Sequence, residues 1–260
     1  MMEFWRGISE RAEYKQVGKN ERGLNAAVRM FMQHLKKECY LLLDPNYWKS
    51  RWKHGKIGFH ASDVNPNLVE YWPGESVSKG RVVLVPLCGK SLDMRWLMEQ
   101  GYRVLGVEVV REACVAFMEE HGMEYKTHRA PGFEVFVGKD IELWCGDFFK
   151  LKKNLMPPIT AVYDRAALVA LPKTARAKYG KKILELTGAG ATMLINSFHY
   201  DQTEMNGPPF AVTEPEIRNL YGEAGSLELL ADDEILFRHE RFRKRGLSAL
   251  REQIWKLVKN

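Results

Sequence analysis

The residues with the clearest chemical potential lie in one stretch, residues 81–108, where RVVLVPLCGKSLDMRWLMEQGYRVLGVE ends on Glu108. A carboxylate at the end of a second apolar strand is the group that accepts hydrogen bonds from ribose hydroxyls in nucleotide-binding βαβ units. Glu108 follows the turn glycine, Gly89, at about the spacing such units use. Gly89 lets backbone approach a ligand with no Cβ in between. The turn reads P-L-C-G-K, with one glycine where dinucleotide sites carry G-x-G-x-x-G. A pyrophosphate packed on helix N–H groups is therefore poorly supported, and a nucleoside ligand without phosphate is favoured, of which S-adenosylmethionine is the common one. The competing reading is an ordinary βαβ unit whose strand happens to end on an acid. A second set, Tyr47, Trp48, Trp52 and Phe59, lies before the first strand. Aromatic faces suit a sulfonium or an adenine through cation–π attraction and stacking, although the same rings also serve to anchor an N-terminal arm on a core.

The elements that must hold these groups can be read from periodicity. Val82 to Val85 is a β-branched run of the kind found in strands buried on both faces, and Pro86 stops it. Ser91 or Asp93 caps the following helix, Met94, Leu97 and Met98 form its inner side, and Gly101 closes it. Residues 111–121 read as a second helix, and residues 141–145 and 160–163 as strands, the latter ending at Asp164. Residues 172–186 form a helix, residues 191–198 a long buried strand, and residues 214–221 a short helix after GPPF. Residues 227–230 and 254–258 are the final strands, separated by a charged connection. Alternating strand and helix signals closed by a strand pair predict an α/β fold of Rossmann-like class I methyltransferase type. It has a seven-stranded, mostly parallel sheet with helices on both faces. Before it, residues 20–39 carry Leu24, Ala27, Val28, Phe31 and Leu35 on one stripe, which predicts an amphipathic helix.

Composition narrows the partners. A chain of 260 residues with 45% hydrophobic content can bury a full α/β core. Apolar runs fall short of the ~20 residues that span a bilayer, and the acidic, charged N-terminus has no signal h-region, so the expectation is a cytoplasmic protein without a membrane partner. Four scattered cysteines without a C-x-x-C pair suit reduced thiols, and the histidines show no metal-ligand spacing. The net charge of +6 raises the prior for an anionic partner, but the basic clusters at residues 178–182 and 238–245 read as solvated surface. No nucleic-acid motif is present, and no nucleic-acid partner is expected.

Taken together, WKSRWKHGKIGFH, NPNL, VPLCGKSLDMRWL, GVE, CGDFF, YDRAALVALP and GPPF make the chain resemble the thiopurine S-methyltransferases over residues 47–260. PLCGK followed by DRAALVALP is far more specific than a lone glycine turn. Residues 1–43 fall outside the pattern and read as a partly helical extension to a methyltransferase domain at residues 44–260. The resemblance implies a pocket for S-adenosylmethionine lined by Trp48, Trp52 and Phe59, with Phe59 reaching toward the acceptor. It implies that Leu87 and Gly89 touch the methionine and ribose portions, that Glu108 binds the ribose hydroxyls, and that Asp147 and Phe148 contact the adenine. Arg165 would face cofactor and acceptor together, and Pro208, Pro209 and Phe210 would form an apolar acceptor wall. The partner is then a small-molecule thiol, and the protein a monomer, as family members commonly are.

The chemistry needs little help, because a sulfonium is already activated and an aromatic thiol deprotonates readily near neutral pH. No dedicated base is expected, and Asp164 is the one candidate unless Arg165 holds it as an ion-pair partner. Holding nucleophile and methyl in line can supply up to roughly 7–11 kcal/mol of barrier reduction. Three alternatives compete. An amine methyltransferase would show [DN]-P-P-[FY] after its fourth strand, where this chain has Asp164-Arg165-Ala166-Ala167. A transferase for small anions or metalloids (thiocyanate, halide, selenium or tellurium species) shares the sheet and is the nearer rival. A non-catalytic scaffold docking through the residue 20–39 helix is the third.

Overall fold

The computed structural model describes residues 44–74 and 80–260. The helix expected over residues 20–39, and the extension it belongs to, lie outside the described residues. Among the described residues, nine strands form one sheet: β1 (Val82–Pro86), β2 (Arg103–Glu108), β3 (Lys126–Ala130), β4 (Phe133–Gly138), β5 (Ile141–Gly146), β6 (Ile159–Asp164), β7 (Thr187–His199), β8 (Gly225–Glu234) and β9 (Arg251–Lys259). Their order is β3-β4-β5-β2-β1-β6-β7-β9-β8. β5, β2, β1, β6 and β7 run parallel, whereas β9 enters antiparallel between β7 and β8.

The seven strands read from the sequence are all present, but a seven-stranded count is too low. β3 and β4 add an antiparallel hairpin at the β5 edge. Its turn is Pro131-Gly132, with Gly132 at φ 83°, a left-handed conformation that favours glycine. β3 carries Lys126, His128 and Arg129 and is largely exposed, which blunts a sheet edge that would otherwise invite pairing.

Among the described residues, seven α-helices flank the sheet: α1 (Pro45–Lys53), α2 (Pro66–Tyr71), α3 (Leu92–Glu99), α4 (Arg111–Glu120), α5 (Lys173–Leu186), α6 (Glu214–Tyr221) and α7 (Glu240–Lys244). All five residues of β1 are buried, as expected for a central strand covered on both faces. One face of the sheet packs Leu84, Leu105, Val162, Ile195 and Trp255 with Tyr179 and Ile183 of α5; the other packs Val83, Val85, Val104 and Leu194 with Met94, Leu97 and Phe117. Fully burying each such side chain contributes about 1.5–3 kcal/mol. A smaller cluster of Tyr200, Met205, Leu236, Phe242, Leu247 and Leu250 joins the loop after β7 to the β8–β9 connection.

Local signals fix where the helices begin. Asp44 accepts from the Asn46 N–H at 2.9 Å and Pro45 occupies the first turn of α1; Asn65 and Pro66 do the same for α2. For α3 the cap is Ser91, which accepts from the Asp93 N–H. Asp93 is thereby free to turn inward.

Candidate functional site

The carboxyl ends of the parallel strands open into a cavity of about 290 Å³, the place where open α/β sheets bind ligands. At one end Glu108 leaves β2 and is 6% exposed. Its Oε1 accepts from the Val109 and Val110 N–H groups, both at 2.8 Å, and its Oε2 from the Gly89 N–H at 2.9 Å. A carboxylate offers about four lone-pair sites, so one remains on Oε2 for a hydroxyl. Burial raises the Glu108 pKa, and the three N–H bonds oppose that shift.

Leu87 and Ala166, in the turns after β1 and β6, are left-handed at φ 48° and 59°, and both line the cavity. Non-glycine residues in this region cost about 1–2 kcal/mol each, so the backbone is held against its preference at the two turns that face the ligand. Gly89 is also left-handed, at φ 54°. A Cβ there would meet Trp52 at 3.4 Å and Phe59 at 3.8 Å, so the glycine turn lies directly under the aromatic arm.

That arm comes from α1 and the loop behind it. Phe59 stands edge-on to Trp48 at 5.9 Å and to Trp52 at 6.1 Å between centroids, and all three rings line the cavity. Below them lies Asp93, 1% exposed. Its Oδ1 accepts from the Asn65 N–H at 2.8 Å, its Oδ2 from the Tyr163 hydroxyl at 3.1 Å, and Arg165 Nη1 stands 3.6 Å from Oδ2. Burial, then the Asp93 charge, pushes the Tyr163 phenol well up, which keeps it a proton donor. Arg165 is therefore ion-paired, but with Asp93, and it lines the cavity together with Tyr163, Ala166 and Asn196. His60 lines the same end; burial, then the Lys90 charge, lowers its pKa and favours the neutral ring.

The far end is formed by Pro208, Pro209, Phe242, Arg241 and Arg245. The peptide bonds preceding both prolines are cis. Tyr200 donates its hydroxyl to the Pro209 carbonyl at 2.6 Å, and buried Arg176 ties the Ala211 carbonyl at 3.0 Å to Glu216 at 2.8 Å. The proline wall is thus clamped from both sides.

Trp48, Trp52, Phe59, Leu87, Gly89, Glu108, Arg165 and Pro209 are brought together as expected from the sequence. Four expected residues are elsewhere. Asp164 points away from the cavity, 1% exposed, accepting from the Leu168 N–H at 3.0 Å and the Tyr179 hydroxyl at 2.7 Å. It is neither placed as a base nor paired with Arg165. Phe148 is buried in the core against Tyr179 and Phe149. Asp147 caps the short 3-10 turn behind β5 through the Phe149 N–H at 2.9 Å. Phe210 packs on Gly207 and under the Arg176 guanidinium, outside the lining. Conversely, Asp93, His60, Arg241 and Arg245 line the cavity without having been singled out for the site. The basic residues of the segment 238–245 are exposed, as expected; Phe242 between them is buried, and Arg241 and Arg245 also line the cavity.

The residues present suit a nucleoside sulfonium: a strand-end carboxylate with a lone pair to spare, a glycine turn beneath aromatic faces, and a polar Asp93–Arg165 pair beyond. Comparison with known proteins agrees. The family model described as thiopurine S-methyltransferase matches residues 43–260. A thiopurine S-methyltransferase of Nitrosospira multiformis is 44% identical over 82% of this chain and 96% of its own length. One from Pseudomonas putida strain F1 is 42% identical over 83% and 99%. In fold, the chain is similar to the 1,6-didemethyltoxoflavin-N1-methyltransferase of Burkholderia thailandensis, solved with S-adenosylhomocysteine, at a TM-score of 0.57 and 16% identity over 85% of this chain and 89% of that one.

Proposed function

The chain belongs to the thiopurine S-methyltransferase family, and from that premise we propose that it moves a methyl group from S-adenosylmethionine to the sulfur of aromatic or heterocyclic thiols such as thiopurines. The observation that carries the reading is the single cavity in which Glu108 and Gly89, the aromatic arm, Arg165 and the proline wall converge. Family membership does not favour the small-anion and metalloid alternative.

When bound, S-adenosylmethionine supplies an activated methyl group on a sulfonium centre. Glu108 holds the ribose hydroxyls with its spare lone pair, and Gly89 gives the backbone room beside them. Trp48, Trp52 and Phe59 cover the sulfonium and exclude water from it. Arg165, oriented by Asp93 and so kept from pairing elsewhere, presents its fork to the methionine carboxylate or to the acceptor. Pro208 and Pro209 hold a flat ring so that its sulfur lies in line with the methyl. A thiolate held there, its proton lost to solvent, would take up the methyl group that bound S-adenosylmethionine would supply, and the cofactor would leave as the thioether. Positioning supplies the rate, consistent with a lining in which no carboxylate is poised as base.

A monomeric, cytoplasmic protein completes the reading. It is supported by the three free cysteines described, Cys88, Cys114 and Cys145, and by Val69 and Phe237 being the exposed large hydrophobics among the described residues. No helix among those residues is long and apolar enough to cross a membrane. The test is calorimetric titration with S-adenosylhomocysteine, followed by methylation of mercaptopurine read by mass spectrometry. Saturable binding and an S-methyl product are expected; binding with no product on any aromatic thiol refutes the acceptor, and no binding refutes the enzyme.

A further inference from the structure

Three of the four cysteines, Cys88, Cys114 and Cys145, gather on one face of the sheet, and methyl transfer uses none of them. Two periodicities bring them together. Paired residues of adjacent strands share a face, and Cys145 of β5 is the partner of Glu108 in β2, so its side chain lies on the Glu108 side. α4 begins three residues after Glu108 and turns Cys114, Phe117 and Met118 inward onto that face. There the Cys114 thiol is hydrogen-bonded to the Cys145 sulfur. Cys88 is engaged differently, donating to the Gly89 carbonyl at 3.6 Å.

The two bonded sulfurs are not equivalent. Cys114 is 0% exposed, whereas Cys145 is only partly buried. Accepting the bond from Cys114 lowers the Cys145 pKa against the opposing effect of burial, and donating it, with burial added, pushes Cys114 well up. An accessible sulfur with thiolate character, touching a buried neutral thiol, is the arrangement of an attacking and a resolving cysteine. We propose that Cys145 and Cys114 form a modification site for hydroperoxides, in which Cys145 is oxidised and Cys114 closes a disulfide that weakens the cofactor site. The Cys145 thiolate attacks the peroxide; the O–O bond breaks, water leaves and a sulfenic acid remains. The Cys114 sulfur then attacks the Cys145 sulfur, the S–S bond forms as the S–O bond breaks, and the departing hydroxide takes the Cys114 proton as water. Two thiols are oxidised and one peroxide is reduced to two waters.

The consequence for the cofactor follows from what α4 carries. Val110 is the N-cap of α4, and its N–H, with that of Val109, holds Glu108 Oε1 at 2.8 Å. Drawing Cys114 and Cys145 from contact to bonding distance pulls the first turn of α4 toward β5, and so moves two of the three donors that aim the carboxylate. The inference goes beyond the methyltransferase reading and takes from it only the role of Glu108.

The test treats the folded full chain with hydrogen peroxide, maps disulfides by digestion and mass spectrometry, and titrates S-adenosylhomocysteine by calorimetry before and after. A Cys114–Cys145 bridge, with two hydrogen atoms lost, is expected. The dissociation constant should rise about tenfold, within the usual range of coupling between sites, and dithiothreitol should reverse it, which methionine sulfoxide would not allow. By reciprocity, saturating S-adenosylhomocysteine should raise the reduction potential of the pair by about 30 mV, the same tenfold converted for a two-electron couple. Cys145→Ser should form no bridge and keep its affinity under peroxide, while Cys114→Ala should stop at a sulfenic acid that dimedone traps. Should either variant fail to fold, the wild-type mapping and titration decide. No Cys114–Cys145 bridge in the folded protein, a bridge to Cys88 or Cys39 in its place, or bridged protein that binds as tightly as reduced protein each overturn the inference. Reduced protein that fails to bind S-adenosylhomocysteine overturns the methyltransferase reading instead, with the bridge still readable by mass.

Discussion

Asp164 offers a perturbation whose size follows from the structure. Burial pushes its carboxyl from the ordinary 3.8 up to about 6, with the Tyr179 hydroxyl and the Leu168 N–H holding it back from a larger rise. The difference of about 2 units corresponds to about 3 kcal/mol, at about 1.4 kcal/mol per unit. The sign follows from proton counting. Between about pH 4 and pH 6 the folded chain keeps a proton that the unfolded chain has released, so this group makes stability fall as pH rises, and the loss is complete above about pH 6. Asp164→Asn removes the titration while an amide oxygen can still accept from the Leu168 N–H. Urea unfolding of both proteins from pH 4 to pH 7 should therefore show the variant gaining about 3 kcal/mol relative to wild type across the window. In melting temperature the relative gain is about 6–12 °C for a domain of this size. Stability curves that stay parallel would refute the raised pKa. A variant that loses ground as pH rises would show instead that the folded state favours the carboxylate. Because Asp164 faces away from the cavity, cofactor affinity should change little across the same series.

Glu108→Ala removes the spare lone pair and three N–H acceptors at once, and S-adenosylhomocysteine affinity by calorimetry should drop about ten- to a hundredfold, the range of a charge-assisted hydrogen bond; unchanged affinity would reassign the ribose contact. Ala166→Gly relieves a left-handed residue worth about 1–2 kcal/mol against a glycine entropy cost of about 0.5–1, so denaturant melts should show a variant at least as stable as wild type. Gly106→Ala places a Cβ 2.6 Å from Leu143 Cδ2 and 2.8 Å from Cys88 Sγ, which should cost about 1–3 kcal/mol in stability and weaken cofactor binding by shifting the turn that carries Gly89; a neutral result would show that the two strands can part.

Much of the sheet was legible because buried parallel strands announce themselves as apolar runs and helices by their inner stripes. The β3–β4 hairpin was missed although Phe133, Val135 and Val137 alternate and Pro131-Gly132 marks its turn. Its partner strand is charged and exposed, so only half of the pair carried a signal. Asp93 reads from sequence as one of two alternative caps, with Ser91, and only the three-dimensional placement of Asn65, Tyr163 and Arg165 reveals the other use of its side chain. Arg241 and Arg245 lie in a segment whose composition is that of solvent-facing surface. They are exposed yet reach the cavity lining beside Phe242, which anchors in a satellite core made by loops far apart in sequence.

The placements of Asp164 and Phe148 outside the cavity lining share a different cause, which lies in the strand itself. Successive residues of a strand point to opposite faces. At the end of β6, Tyr163 lines the cavity with the Asp93–Arg165 pair, and Arg165, two residues on, does the same. Asp164 between them must face the α5 side, where Tyr179 meets it. Once Arg165 is assigned to the ligand, alternation excludes Asp164 from it. The same Tyr179 ring lies 5.3 Å from Phe148, so one buried tyrosine takes up both side chains that the family pattern pointed toward the ligand. The DRAALVALP segment therefore does two jobs on two faces: Arg165 and Ala166 shape the site, while Asp164 pins the following turn to α5 so that Ala166 can be held left-handed. A substitution that frees Asp164 from Tyr179 should consequently be felt at the acceptor end through Ala166, and Tyr179→Phe, which removes one hydroxyl from the opposite side of the sheet, separates that coupling from direct contact.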